Sequence, residues 1–274
     1  MVVQHNMQAV NTNRMLGQNV KAVAKNTEKL SSGYQVNRAA DDAAGLSISE
    51  KMRNQIRGLN QAVKNAEDGI SLIQTAEGNM NEIHSILQRM GELAIKARND
   101  VNASEDRQTI QDEIKQLKEE ICSITKKAEF NGTKLLDGSM SLAKSGKDLQ
   151  VGANQGQLLR ISISGTSLKK LGLKPTSVRN AKAASAAIKQ IQSAIKMVSA
   201  QRSLLGAIQN RLEYTINNLE NYSENLTSAE SNIRDTDMAT EMVAYSKNNI
   251  LQQAAQSMLA QANQSTQGVL NLLQ

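Results

Sequence analysis

The stretch whose reading decides the fold is MRNQIRGLNQAVKNAEDGISLIQTAEGNMNEIHSILQRMGELAIKA, residues 52–97. Its apolar side chains fall at Met52, Ile56, Leu59, Val63, Ala66, Ile70 and Ile73, then at Met80, Ile83, Leu87, Met90, Ala94 and Ala97. Steps of four and three place these residues on one face of an α-helix and make the row a heptad seam. Glu77 stands in one seam position, and the step of three from Met80 to Ile83 reads as a local irregularity. A helix of this length spans roughly 70 Å at 1.5 Å per residue, far beyond a globular helix, and predicts a rod.

Working outward, a polar loop runs from Asn99 to Ser104, with Asn102 or Ser104 as candidate cap of the next helix. That helix carries its own seam at Ile110, Ile114, Leu117, Ile121, Ile124 and Ala128. Two helices joined by so short a loop run antiparallel. From Phe130 to Lys182 the helical pattern stops. Asn131-Gly132 and Asp137-Gly138 are turn signals, and Asp148–Gly152 and Leu159–Ser164 alternate as strands do. One or two small β-hairpins are expected there. A second long stripe follows at Ile188, Ile191, Ile195, Val198, Leu205, Ile208, Leu212, Leu219, Leu226, Ala229 and Ile233, a helix returning along the first. The fold class is mainly α: a long antiparallel helical rod with coiled-coil seams, paired terminal helices and a small β-hairpin insert.

Composition agrees. The 274 residues hold no Trp, one Phe and four Tyr, so the core is built from aliphatic side chains at close helix–helix contacts. Pro175 is the only proline. The net charge of +6 is concentrated rather than spread: Met140–Lys182 carries eight Lys and Arg against one acid, Asp148, with no aromatic ring for base stacking. A nucleic-acid surface is not expected. Cys122 is alone and sits in an apolar stripe, as a small buried hydrophobe would. No run reaches the ~20 apolar residues of a membrane span, and the first fifteen residues lack the apolar core of a signal peptide. If the protein leaves the cell, another route carries it.

Both ends are amphipathic. One stripe runs through Val3, Met7, Val10, Leu16, Val20, Val23 and Leu30. The other runs through Leu251, Ala254, Ala255, Met258, Leu259 and Ala262, then Val269, Leu270, Leu272 and Leu273. Residues 249–274 contain no Lys, Arg, Asp or Glu. A helix so short of charge and so rich in apolar surface is unsuited to standing alone in water. Breaks at Ser31–Gly45 and Arg234–Asp237 separate each end from the long stripes. The ends are therefore expected to pair with each other and with further copies.

At this point the residues become familiar. Glu28–Ser49 (EKLSSGYQVNRAADDAAGLSIS) resembles the characteristic amino-terminal segment of bacterial flagellin, as do Asp68–Gly78 and Glu129–Leu136. Ile250-Leu-Gln-Gln-Ala, Leu259-Ala-Gln-Ala-Asn263 and Val269–Leu273 are similar to the carboxy-terminal segment of the same family. The resemblance implies an inner terminal-helix domain over 1–43 and 232–274 that lines the filament channel. It implies a rod domain over 44–231 with only a short basic segment, about 139–180, where relatives insert outer domains. It further implies a motility filament made of copies of the chain and located outside the cell. Polymerisation would fall to Val3, Met7, Val10, Leu16, Val20, Val23, Leu251, Met258, Leu259, Leu270 and Leu273. Further implied partners are the flagellar secretion apparatus and cap, and an export chaperone on the carboxy-terminal helix. A last one is animal Toll-like receptor 5, read through Gln88, Arg89, Glu92, Leu93 and Glu113, a face whose position off the Met90–Ala94 seam predicts exposure. Met90-Gly91 departs from the Val-Arg common in relatives, and Tyr34-Gln35 departs within the segment that plant receptors sense.

Two rivals share the terminal-helix design or the seams: a hook–filament junction protein and a non-polymerising coiled-coil binding module. Catalysis has little support. His5 and His84 lie far apart, there is no His-Glu-x-x-His motif, and no cofactor or metal is expected. The acidic pairs Asp41-Asp42 and Asp235/Asp237 read as helix caps or hinge contacts.

Overall fold

A computed structural model describes residues 6–101, 103–140, 146–173 and 176–271, the last six as backbone only. The elements are α1 (Met7–Ser32), α2 (Ala43–Arg98), α3 (Ser104–Lys127), β1 (Glu129–Phe130), β2 (Thr133–Lys134), β3 (Lys147–Gln150), β4 (Leu158–Ile161), α4 (Ala181–Arg234) and α5 (Met238–Asn271). The chain divides into two compact units, 1–54 with 224–274, and 55–223.

In the unit formed by 55–223, the buried row of α2 is a continuous heptad. It runs through Leu59, Ala62, Ala66, Gly69, Ile73, Ala76, Met80, Ile83, Leu87, Met90, Ala94 and Ala97. The irregularity expected near Glu77 is therefore absent. Val63, Ile70 and Glu77 are half-buried flanks, and the seam passes through small neighbours one position earlier. α4 answers with Ala184, Ala187, Ile191, Ala194, Val198, Leu205, Leu212 and Leu219. The two helices are antiparallel, because the links Arg98–Ser185, Glu77–Arg202 and Asn60–Ser223 advance along one as they retreat along the other. α3 buries Ile110, Ile114, Ile121 and Thr125, the last satisfying its hydroxyl on the carbonyl of Ile121. Cys122 on the same helix is half-buried, not buried, since it lies one step off that row.

α3 starts at Ser104, so Ser104 is not the cap, and Asn102 lies outside the described residues. The cap position is Ala103, whose backbone N–H donates to the Asp106 carboxylate 3.1 Å away.

Two antiparallel strand pairs lie among the described residues of 129–161. Glu129–Phe130 and Thr133–Lys134 turn through Asn131 and Gly132, both at positive φ (46° and 73°), the conformation a tight two-residue hairpin demands. β3 pairs with β4 from Lys147↔Ile161 to Gln150↔Leu158. Across it, Arg160 donates both to Asp148 Oδ1 and to Oδ2, at 2.6 and 2.8 Å, so part of the basic excess is neutralised locally. The β3–β4 hairpin sits against a small-residue face of α2. A methyl on Gly58 would lie 2.9 Å from the Cβ of Ala153, and one on Gly69 2.6 Å from Leu149 Cδ2. Between them Asn65 donates to the Gln150 carbonyl at 3.1 Å. This non-helical segment is part of the core rather than an appendage: Leu135, Leu136, Met140, Ile161, Ile163, Leu171, Leu173 and Val178 are buried with the helical seams.

Candidate functional site

The other unit holds the two ends. α1 and α5 lie side by side and antiparallel: Asn6 donates to the Ala262 carbonyl at 2.9 Å, and Lys29 approaches Glu241 at 3.8 Å. The contact rows follow heptad steps, but they alternate polar with apolar side chains where a coiled coil would be apolar throughout. On α1 the half-buried or buried positions include Thr12, Leu16, Asn19, Val23 and Asn26. On α5 they include Asn248, Gln252, Ala255, Leu259 and Ala262. Only Asn26 and Ala262 are fully buried among the described side chains of the pair, and the Asn26 amide nitrogen has no hydrogen-bond partner. Leaving such a donor unsatisfied costs about 1–3 kcal/mol.

Many of the large apolar side chains point away. Met7 is 71 % exposed, Val243 71 % and Ile250 66 %, with Val10, Met15, Val20, Met242, Leu251 and Met258 also exposed. Apolar surface carried outward on both partners of such a pair marks a surface for further protein. Of the residues assigned to polymerisation, Met7, Val10, Val20, Leu251 and Met258 are on this outward surface. Leu16, Val23 and Leu259 are half-buried in the pair. Leu270 belongs to the backbone-only end of α5, and Val3 and Leu273 lie outside the described residues. Met15, Met242, Val243 and Ile250 were missed. Met15 follows Met7 by eight residues, and the α5 stripe extends upstream of Leu251, so the helical period alone would have found them.

The breaks before α2 and after α4 come together in the same unit. Gly33 ends α1 in the left-handed conformation, its N–H on the Lys29 carbonyl. The chain then makes a single bridge: Gln35 N–H donates to the Arg234 carbonyl at 2.7 Å, and Thr236 N–H to the Gly33 carbonyl at 2.9 Å. Arg234 lies over the Tyr34 ring and donates to Glu50. The acidic pairs serve this junction. Asp42 accepts from the N–H groups of Ala44 and Gly45 at the start of α2, and Asp237 accepts from Ala239 and Thr240 at the start of α5. Asp41 pairs with Lys25 at 2.9 Å. The Lys25 ammonium holds the Asp41 carboxyl below the usual carboxylate range, and the Thr240 hydroxyl does the same for Asp237.

On the α2–α3 face, Arg89 is exposed and clasped by two carboxylates. It donates from Nε and Nη2 to Glu113 at 3.2 and 3.0 Å, and from Nη1 to Glu92 at 3.2 Å. Glu113, then Glu92, raise its pKa further above the ordinary arginine value. Gln88 is exposed and stands 3.2 Å from His84. Leu93 departs from the expectation: it is 4 % exposed and part of the core. It lies next to Ala94 and three residues after Met90, so it widens the seam rather than standing outside it.

No described helix is long and apolar enough to cross a membrane. Residues 3–141 match the model of the bacterial flagellin N-terminal helical region, and residues 188–273 match that of the C-terminal helical region. Over its full length the chain is 51 % identical to a flagellin of Halalkalibacterium halodurans and 49 % identical to a flagellin of Bacillus subtilis, each covered completely. It is 47 % identical to a 30.7 kDa flagellar filament core protein of Treponema maltophilum, again over all of both chains. Among solved structures, a Bacillus cereus flagellin is 31 % identical with a TM-score of 0.50, over 57 % of this chain and 88 % of that one. A putative flagellar hook-associated protein of Vibrio parahaemolyticus shares the fold at 13 % identity and a TM-score of 0.60, over 71 % of this chain and all of that one. Paired terminal helices with outward apolar faces, a heptad-seamed helical unit and end-to-end identity at this level place the chain in the bacterial flagellin family.

Proposed function

We propose that this flagellin, an extracellular structural subunit of the bacterial flagellar filament, assembles by burying the outward faces of α1 and α5 against neighbouring copies. The observation that carries the reading is the outward apolar surface of the pair: Met7, Val10, Val243 and Ile250 are exposed while polar groups take up about half of the contact rows. Ordering two such helices has an entropic cost that burial between copies offsets. Full-length identity to flagellins favours the filament subunit over a junction protein or a binding module. Its role is structural, and of the two acidic pairs Asp42 and Asp237 serve as caps and Asp41 as an ion-pair partner. Electron microscopy of salt-induced assemblies from purified chain tests the reading. Long helical filaments are expected, and persistently monomeric protein would sink it.

The same outward faces fit the partners met before assembly. The charge-free end of α5 suits an export chaperone that shields it until passage through the secretion apparatus to the cap. A second reading, as a ligand of animal Toll-like receptor 5, is favoured by Arg89, which Glu92 and Glu113 hold extended at the surface with Gln88 beside it. Leu93 enters that reading as the buried support behind Arg89 rather than as a contact. Surface-immobilised receptor ectodomain should capture wild-type monomer and fail to capture Arg89→Ala.

A further inference from the structure

α4 has two heptad rows. The inner one belongs to the core. The outer one, Met197, Ala200, Leu204, Ala207, Arg211 and Tyr214, keeps the same three-four stepping and is exposed throughout. Upstream of it, from the first turn of α4 up to Met197, runs a row of lysines, Lys182, Lys189 and Lys196, spaced by seven and all exposed. Seven-residue spacing keeps such charges on one line along a helix, drifting only ~20° per heptad. Among the described residues none of these three ammonium groups forms an ion pair.

α3 carries the complement. Glu105, Asp112 and Glu119 are also spaced by seven, also exposed and also without an ion pair among the described residues. The neighbouring acids Asp106 and Glu113 are already engaged, by the Ala103 N–H and by Arg89. Thus one helix of the unit presents three cations and another presents three anions at the same pitch, each row covering about 21 Å of helix. Matched rows of opposite charge at one pitch are how helices select a partner and a register.

We infer that the lysine row and outer seam of α4 dock onto the acidic row of α3 in a second copy of this chain, a lateral contact that rests on the filament-subunit reading. The occupant is another copy because the complementary row, at the same spacing, is in this chain. The six charges set alignment, and Met197 and Leu204 extend the contact with apolar surface past the last lysine.

The test is charge exchange in the full-length chain. One variant carries Lys182→Glu, Lys189→Glu and Lys196→Glu, a second carries Glu105→Lys, Asp112→Lys and Glu119→Lys, and a third carries all six. Helix content by circular dichroism reports folding. If a triple variant loses helix, the pair Lys189→Glu and Asp112→Lys replaces it. The critical concentration for assembly, read by sedimentation, is expected to rise roughly ten-fold in each half-exchanged variant and to return toward wild type in the full exchange. Wild-type assembly with unchanged assembly of folded half-exchanged variants would overturn the contact. So would a full exchange that stays as defective as its halves. Failure of the wild-type chain itself to form filaments would instead strike at the subunit reading.

Discussion

The guanidinium carbon of Arg234 lies 4.6 Å from the ring centroid of Tyr34, while its Nη1 donates to Glu50 at 2.9 Å. One side chain at the end of α4 thus grips both the break after α1 and the start of α2. Tyr34→Ala is expected to remove a cation–π contact of about 0.5–1 kcal/mol. Faster amide hydrogen exchange at Gln35 and Thr236, with exchange in residues 59–97 unchanged, is the readout.

This junction is also the acid-sensitive part of its unit. Arg234 holds the Glu50 carboxyl below the ordinary glutamate range, and Asp41 and Asp237 are held low by Lys25 and Thr240. A carboxylate with a depressed folded pKa contributes fully above its unfolded pKa, and the contribution is lost as pH falls through the lower folded value. Exchange at Gln35 and Thr236 should therefore be insensitive to this effect between pH 5 and 7, once intrinsic rates are divided out, and should accelerate below about pH 4. Glu50→Gln should flatten the acid limb. A limb of unchanged steepness would remove Glu50 from the explanation.

Two helical glycines should respond in opposite directions. At Gly91 an added Cβ would make ordinary contact, 3.8 Å from Ile191 Cγ2, so Gly91→Ala is expected to stabilise by up to about 1 kcal/mol through helix propensity. At Gly58 it would meet the Cβ and Cα of Ala153 at 2.9 and 3.3 Å, where backbone must yield. Gly58→Ala should destabilise by about 1–3 kcal/mol. Thermal unfolding midpoints rank the three proteins.

Assembly should depend on the outward faces and not on the core. Ile250→Asp places a charge on the exposed side of α5 and is expected to abolish filaments while leaving the monomer's helix content unchanged. Removal of residues 251–274, which deletes most of α5, should also abolish filaments, with unit 55–223 still folded. Normal filaments from either protein, seen by negative-stain microscopy, would contradict the assembly surface.

Leu93 and Arg89 should separate by mechanism. Leu93→Ala empties a buried site and is expected to cost about 2–4 kcal/mol of stability. Arg89→Ala removes exposed ion pairs and should change stability little. Chemical denaturation distinguishes them, and receptor capture of Leu93→Ala should recover under conditions where the variant is fully folded.

The elements were largely legible in the sequence. Stepping of three and four placed α2, α3 and α4, the Asn131-Gly132 turn placed the first hairpin, alternation placed the second, and the breaks at Gly33 and Arg234–Asp237 fall where the helices end. The α2 seam was misplaced by one position because Ala62, Gly69 and Ala76 carry little hydrophobic signal beside Val63 and Ile70. Their small size makes sense only with what packs there, such as the β3–β4 hairpin beside Gly58 and Gly69. Leu93 was misread for the same reason: a one-row seam cannot show that a third element widens the buried face. The outward surface of the ends was half legible, since period reveals an apolar stripe but not which stripe a polar-lined partner leaves uncovered.

The polar contacts between α1 and α5 have a consequence of their own. Asn6 on Ala262, Lys29 near Glu241 and buried Asn26 contribute little to cohesion, yet each is satisfied or tolerated at one alignment of α1 along α5. Slipping the pair by a turn would break the first two together. The contacts therefore behave as a ruler rather than a glue: Met7 and Ile250 are presented at fixed heights on every copy, and a polymer built by stacking such copies inherits a uniform repeat from side chains inside each one.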